Sequence, residues 1–152
     1  MSVTVRIQAE DFDIAAETAA LTGGRTEIGA VVAFAGLCRD EGGRLAALEL
    51  EHYPGMAEAE VAHVAEEARR RWPLAGVTVI HRYGRIAPGE NIVLVLTASA
   101  HRQAAFAAAA FLVDFLKTRA PFWKRERLSD GSTGTWVEAT GEDAAAAERW
   151  EG

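Results

Sequence analysis

The sequence predicts an α+β fold: a mostly antiparallel sheet with helices on one side of it, formed as a single domain over residues 1–140. Three observations predict it. Short alternating or β-branched segments recur along the chain, longer segments carry helical periodicity, and Gly and Pro separate them with no repeat, linker or low-complexity block. The chain has 152 residues, 49% of them hydrophobic, enough for one sizeable core.

The elements follow in order. Val3–Gln8 is β-branched and alternates, the pattern of a strand. Asp13–Leu21 reads as a short helix, with Asp11 or Asp13 near its start and Gly23-Gly24 after it. Ile28–Cys38 reads as a buried strand containing Gly29 and Gly36, followed by a turn at Asp40-Glu41-Gly42-Gly43. Leu45–Tyr53 alternates as a strand. Pro54 opens a helix at its first turn, and that helix runs to about Trp72, where Pro73 stops it. Val77–Tyr83 and Asn91–Ser99 are strands with Pro88-Gly89 turning the chain between them. Ser99 caps a helix that begins near His101 and ends by Arg119, before Ala120-Pro121. Phe122–Leu128 and Thr135–Glu138 form a closing strand pair around Asp130-Gly131. Residues 141–152 read as a short helical or mobile tail, in which Trp150 either anchors by packing or helps to cover a site.

Composition narrows the function. A single cysteine, Cys38, rules out an internal disulfide and fits a reducing cytoplasm. The first ten residues lack the pattern of a secretory leader, and charges interrupt every apolar stretch well short of a membrane span. The net charge of −6 argues against broad nucleic-acid binding. That charge is unevenly spread. Lys117–Arg127 holds five positive residues and one negative, a local sum of +4 in a chain that otherwise carries −10. Such an island fits a small anionic ligand such as a phosphate, or else a solvated run paired with acids elsewhere. Fourteen of the sixteen basic residues are arginine, and the two lysines, Lys117 and Lys124, lie within eight residues of each other. Arginine stays charged, whereas a lysine amine can be tuned to release its proton.

The helix His101–Arg119 is the most informative segment. At 100° per residue, Arg102, Phe106, Ala110, Val113 and Lys117 share one stripe, opposite Phe111, Leu112 and Phe115. A helix apolar nearly all round is expected to be buried, in a core or at a subunit contact, with Lys117 partly desolvated or snorkelling to water. Arg102 lies fifteen residues from Lys117, about 22 Å along the axis. One small ligand meets both only if a second copy of the chain supplies Arg102. Otherwise His101 and Arg102 are a helix cap and a surface charge.

Lys124 and Glu126 fall on one face of a strand, with Arg125 on the other, either as proton-transfer partners or as an ordinary ion pair. Arg39 ends a strand beside a glycine-rich turn, a place where arginine grips phosphate. Cys38 reads as a small packing residue. His52, His63, His81 and His101 show no metal-ligand spacing, and neither a nucleotide fingerprint nor a nucleophile elbow is present.

Together these segments resemble the molybdopterin synthase large (catalytic) subunit family. The blocks that carry the resemblance begin with Gly29-Ala30-Val31-Val32-Ala33-Phe34-Ala35-Gly36 and Arg39, then Leu48 through Ala57 (LELEHYPGMA). They continue with His81-Arg82-Tyr83-Gly84, Pro88-Gly89-Glu90, Ser99-Ala100-His101-Arg102, Ala105-Phe106 and Asp114-Phe115-Leu116-Lys117. Ala120-Pro121-Phe122-Trp123-Lys124-Arg125-Glu126 closes the series, which spans residues 29–126 in family order. The resemblance implies an α/β hammerhead-like fold and a cytoplasmic sulfurtransferase of molybdenum cofactor biosynthesis. It implies a homodimer flanked by two copies of a small ubiquitin-like sulfur carrier ending in Gly-Gly, a heterotetramer in all. The carrier's C-terminal thiocarboxylate would supply sulfur to cyclic pyranopterin monophosphate, so no cofactor or metal of the chain's own is expected. Lys117 and Lys124 would be catalytic, with Arg39 and a neighbour's His101 and Arg102 on the substrate phosphate and Glu126 orienting Lys124. The rival readings are a non-catalytic adaptor for a ubiquitin-like tail and an acyl or phosphoryl transferase with a basic pocket.

Overall fold

The computed structural model describes residues 2–40, 42–137 and 150. The element order is β1 (Ser2–Gln8), α1 (Ile14–Thr22), β2 (Ala30–Leu37), β3 (Leu45–His52), α2 (Met56–Arg71), β4 (Leu74–Arg82), β5 (Gly84–Ile86), β6 (Asn91–Ser99), α3 (Arg102–Thr118) and β7 (Phe122–Leu128). Two sheets form. The larger runs β1-β4-β6-β2 and the smaller β5-β3-β7. Every pairing is antiparallel except β1 with β4. Among the described residues no helix is long and apolar enough to cross a membrane.

The two-residue alternation of the central strands explains the layers. Val77 and Val79 of β4, with Val93 and Val95 of β6, face α2 and α3 and pack on Val61, Val64, Ala108, Phe111, Leu112 and Phe115. Ile80, Leu94, Leu96 and Ala98 point the other way and meet Phe12 and Leu21 around α1. Both faces of the large sheet are therefore covered, which corrects the expectation of helices on one side only. The nearly unbroken apolar runs of β4 and β6 are the sequence signature of a strand buried on both faces.

Local signals act as expected at most ends. Asp13 caps α1 by accepting from the Ala16 N–H at 3.1 Å. Pro54, by contrast, lies ahead of α2 and not in its first turn. Gly55 is the N-cap at φ 83°, and its N–H donates to the Glu58 carboxylate at 2.8 Å. Directly after the predicted strand 77–83 the chain changes sheets. β4 ends at Arg82, Gly84 turns at φ 90°, and β5 joins the small sheet beside β3. The predicted Phe122–Leu128 and Thr135–Glu138 pair is reduced to isolated bridges, Lys124 with Val137 and Arg127 with Thr133. The partner of β7 is β3, in a register that sets Lys124 opposite Leu50. Glu138 lies outside the described residues. Of the predicted tail, Trp150 is described, and it is an anchor: it packs on Trp72 and Phe111, and its indole N–H donates to Asp114 at 2.5 Å.

Candidate active site

One helix and both sheets converge on one cavity of about 210 Å³. The last turn of α3 contributes Leu116 and Lys117. The small sheet contributes Leu48 and Leu50 from β3, and Phe122, Trp123 and Lys124 from β7. The end of the large sheet closes it with His81 of β4 and Val93 of β6, which are register partners. The structure thus brings together the two lysines that the sequence singled out. The chain folds this way because Ala120 and Pro121 end α3 and turn it directly into β7, which carries Lys124 two residues into the strand. A second small cavity, lined by Lys117 through Trp123, lies at that turn.

Of the two outcomes open for Lys117, desolvation or a head that reaches water, one chain shows the second: Lys117 and Lys124 are both exposed. The reason is the rotation of α3. It buries Ala104, Ala105, Ala108, Phe111, Leu112 and Phe115 against the sheet and turns the Arg102-to-Lys117 stripe outward. Phe106 on that stripe is 61% exposed. The helix is apolar on a face that this chain leaves uncovered.

Lys124 and Glu126 share a face of β7, as their spacing predicts, but they serve different cavities. Glu126 lines a neighbouring cleft with Arg39, Asp40, Arg44 and Leu45. Among the described residues no ion pair joins Lys124 to Glu126, which corrects the expected pairing. On the opposite face, Glu49 of β3 accepts from Arg125 at 2.8–2.9 Å and also from Arg127. Arg125 lies over the Trp136 ring at 4.5 Å as well. Three of the five cations of the basic island therefore do not share one ligand site: two lock the small sheet, and Arg119 stacks on Phe115. His101 and Arg102 are exposed at the far end of α3, and His101 lines a separate cavity with Trp72 and Ser99. One chain does not bring them to the lysines.

Cys38 is buried among Leu50 and Ile86 in the core of the small sheet, and burial pushes its thiol above the usual range. Its role is packing, as expected. His81 is the residue that sequence reasoning passed over. The imidazole stacks on Phe122, with centroids 3.9 Å apart and planes 14° from parallel, and its Nδ1 donates to the Arg82 carbonyl at 2.8 Å. Burial, opposed by that hydrogen bond and reinforced by Lys117 and His52, lowers its pKa to about 4. The ring is neutral at neutral pH. The available signal was the alternation Val77-Val79-His81, which puts a histidine on the apolar face of a buried strand.

Comparison with known proteins places these features. The MoaE protein family matches residues 7–119. The chain is 69% identical over 150 residues to the molybdopterin synthase catalytic subunit of Mesorhizobium japonicum, covering 99% of this chain and 94% of that one. It is similar to the molybdopterin biosynthesis MoaE protein of Burkholderia ambifaria, with a TM-score of 0.84, 48% identity and 97% of each chain covered. It is also similar to the crystal structure of molybdopterin synthase from Staphylococcus aureus, with a TM-score of 0.77, 29% identity, and 87% and 95% covered.

Proposed function

The chain belongs to the MoaE protein family and is an enzyme subunit of molybdopterin biosynthesis; on that premise we propose that the cavity between Lys117 and Lys124 is where sulfur is transferred. The donor is a small ubiquitin-like carrier whose Gly-Gly tail ends in a thiocarboxylate, and the acceptor is cyclic pyranopterin monophosphate. The observation that carries this reading is the convergence of the only two lysines of the chain on one cavity with apolar walls. Apolar walls strengthen the field of an ammonium on an anionic tail by keeping water away.

The roles divide by position. Lys117 stabilises charge on the thiocarboxylate carbonyl or exchanges a proton there, and Lys124 helps to place the thiocarboxylate against the pterin carbon it attacks. Arg39 holds the substrate phosphate from the adjoining cleft, where the Glu126 carboxylate can orient its guanidinium and Arg44 adds a second positive charge. His101 and Arg102 complete the phosphate grip from a second copy of the chain, because α3 holds them about 22 Å from Lys117 within one copy. The uncovered face of α3, with Phe106 at its centre, supports such a homodimer. Sulfur arrives on the carrier, so the reaction as proposed calls on no cofactor held by this chain. A cytoplasmic location fits that reaction.

The test is incubation with the thiocarboxylated carrier and the pterin precursor, followed by detection of the dithiolene product. Lys117→Ala and Lys124→Ala are each expected to lower product formation at least a hundredfold while the carrier still binds. Normal turnover in either variant refutes the assignment. Lys117→Arg separates charge from proton exchange: retained activity assigns Lys117 a purely electrostatic role.

A further inference from the structure

The lysine cavity contains a third polar side chain that the reading above does not use. His81 lies at the end of the large sheet, on the face of β4 that also carries Val77 and Val79, and it lines the cavity with Lys117 and Lys124. Its orientation is fixed from two sides. Phe122 stacks on the imidazole plane, and the Arg82 carbonyl takes the Nδ1 proton. A neutral imidazole has one N–H, so committing it at Nδ1 leaves Nε2 as a bare acceptor.

The geometry points to His81 as a positioning residue for sulfur transfer: no hydrogen bond joins it to Lys117 in the isolated chain, and its bare Nε2 is the acceptor that meets the exposed Lys117 ammonium once that amine turns into the shared cavity to receive the carrier's tail. This inference rests on the sulfur-transfer reading of the cavity and adds to it the group that orients one of the lysines. The side-chain donors on the cavity wall are the two ammonium groups and the Trp123 indole N–H, so an acceptor there has the ammonium groups as its charged partners. The charged and titratable groups around the ring are few. Lys117 comes from α3, Lys124 from β7 and His52 from β3, whose ring centroid lies 6.3 Å from that of Phe122. Arg82 is adjacent in sequence, but its guanidinium is buried elsewhere on the carbonyls of Ala9 and Asn91. No carboxylate lines this cavity among the described residues, so nothing there competes with Nε2 for the Lys117 protons. An ammonium held by a neutral acceptor keeps its full charge for the thiocarboxylate, which a carboxylate partner would cancel.

Two variants and one spectroscopic measurement test it. His81→Phe keeps a flat ring against Phe122 and removes Nε2, and His81→Gln returns an acceptor near that position. Expected is a fall in kcat of about a hundredfold for His81→Phe with the KM for the carrier little changed, and recovery of much of it in His81→Gln. The alkaline limb of the kcat profile moves to lower pH in His81→Phe, because the ammonium loses the acceptor that favoured it. In the wild-type protein with the carrier bound, ¹⁵N NMR of the imidazole is expected to show the Nδ1–H tautomer at neutral pH, and an Nε2 resonance that shifts in Lys117→Ala. A wild-type kcat and pH profile in His81→Phe overturns the inference. So does an Nε2–H tautomer, or an Nε2 resonance indifferent to Lys117→Ala, and these readings stand even if both His81 variants fail to fold. If the wild-type chain itself makes no dithiolene, the sulfur-transfer reading fails instead, and the NMR result still decides the contact.

Discussion

At the scale of single residues, the molecule separates side chains that look alike in the sequence. Lys124 and Arg125 are neighbours, yet one opens into the cavity and the other is committed to Glu49, because a strand sends successive side chains to opposite faces. His81 shows what burial does to a titratable group. Its pKa falls to about 4 from an ordinary value of 6.5. A histidine depressed on folding stabilises the fold above the unfolded value, and that stability is lost as pH falls from about 6.5 toward 4. Urea titrations of the wild-type protein should show a loss on the order of 3 kcal/mol across that window from this group. The loss should be absent from His81→Phe, and an equal pH dependence in the two proteins would refute the assignment. The alternation that puts this histidine on the apolar face of β4 was legible in the sequence. Its stacking on Phe122 was not, since that ring arrives from β7, some forty residues later.

At the scale of elements, close approach sets limits that composition does not reveal. Gly29 leads into β2, where its N–H donates to the Ser99 carbonyl at 3.0 Å. A Cβ built there would stand 2.2 Å from the Ala100 carbonyl oxygen, and backbone cannot step aside as a flexible side chain would. Gly29→Ala should therefore destabilise the protein by about 1–3 kcal/mol, measured as a lowered midpoint of thermal or urea unfolding. An unchanged midpoint would mean that the start of β2 shifts freely. Helices α1, α2 and α3 were all recognisable from the Asp, Gly and Pro residues that bound them, but the cap expected from Ser99 is not formed: the N-cap of α3 is His101, with no side-chain cap. The division of 77–86 into β4 and β5 was hidden, because nothing near Tyr83-Gly84 states that the chain leaves one sheet for another. Likewise the partner of β7 is chosen by Glu49, which meets Arg125 and Arg127 across β3, a contact between residues seventy-six and seventy-eight positions apart.

At the scale of the whole molecule, the large sheet is the platform and the small sheet is the wall that turns its open end into a cavity. Leu112 on α3 is fully buried where both helices meet the platform. Leu112→Ala should cost about 2–5 kcal/mol of unfolding free energy, because the close-packed sheet beneath it cannot collapse into the void. The same helix carries Lys117 in its last turn, so a shift of α3 should also appear as lost turnover. A stability change below about 1 kcal/mol would show that the helix repacks.

The sequence by itself determined the α+β class, the places of the helices and most strands, and the pair of lysines to watch. These depend on local periodicity, capping and residue chemistry, which adjacent residues express. The tertiary structure alone decided which face of α3 is covered, that helices cover both faces of the large sheet, that Glu126 sides with Arg39 rather than with Lys124, and that His81 joins the lysines. Each of those outcomes is set by contact between segments far apart in the chain, and no local pattern encodes the distance at which two such segments come to rest.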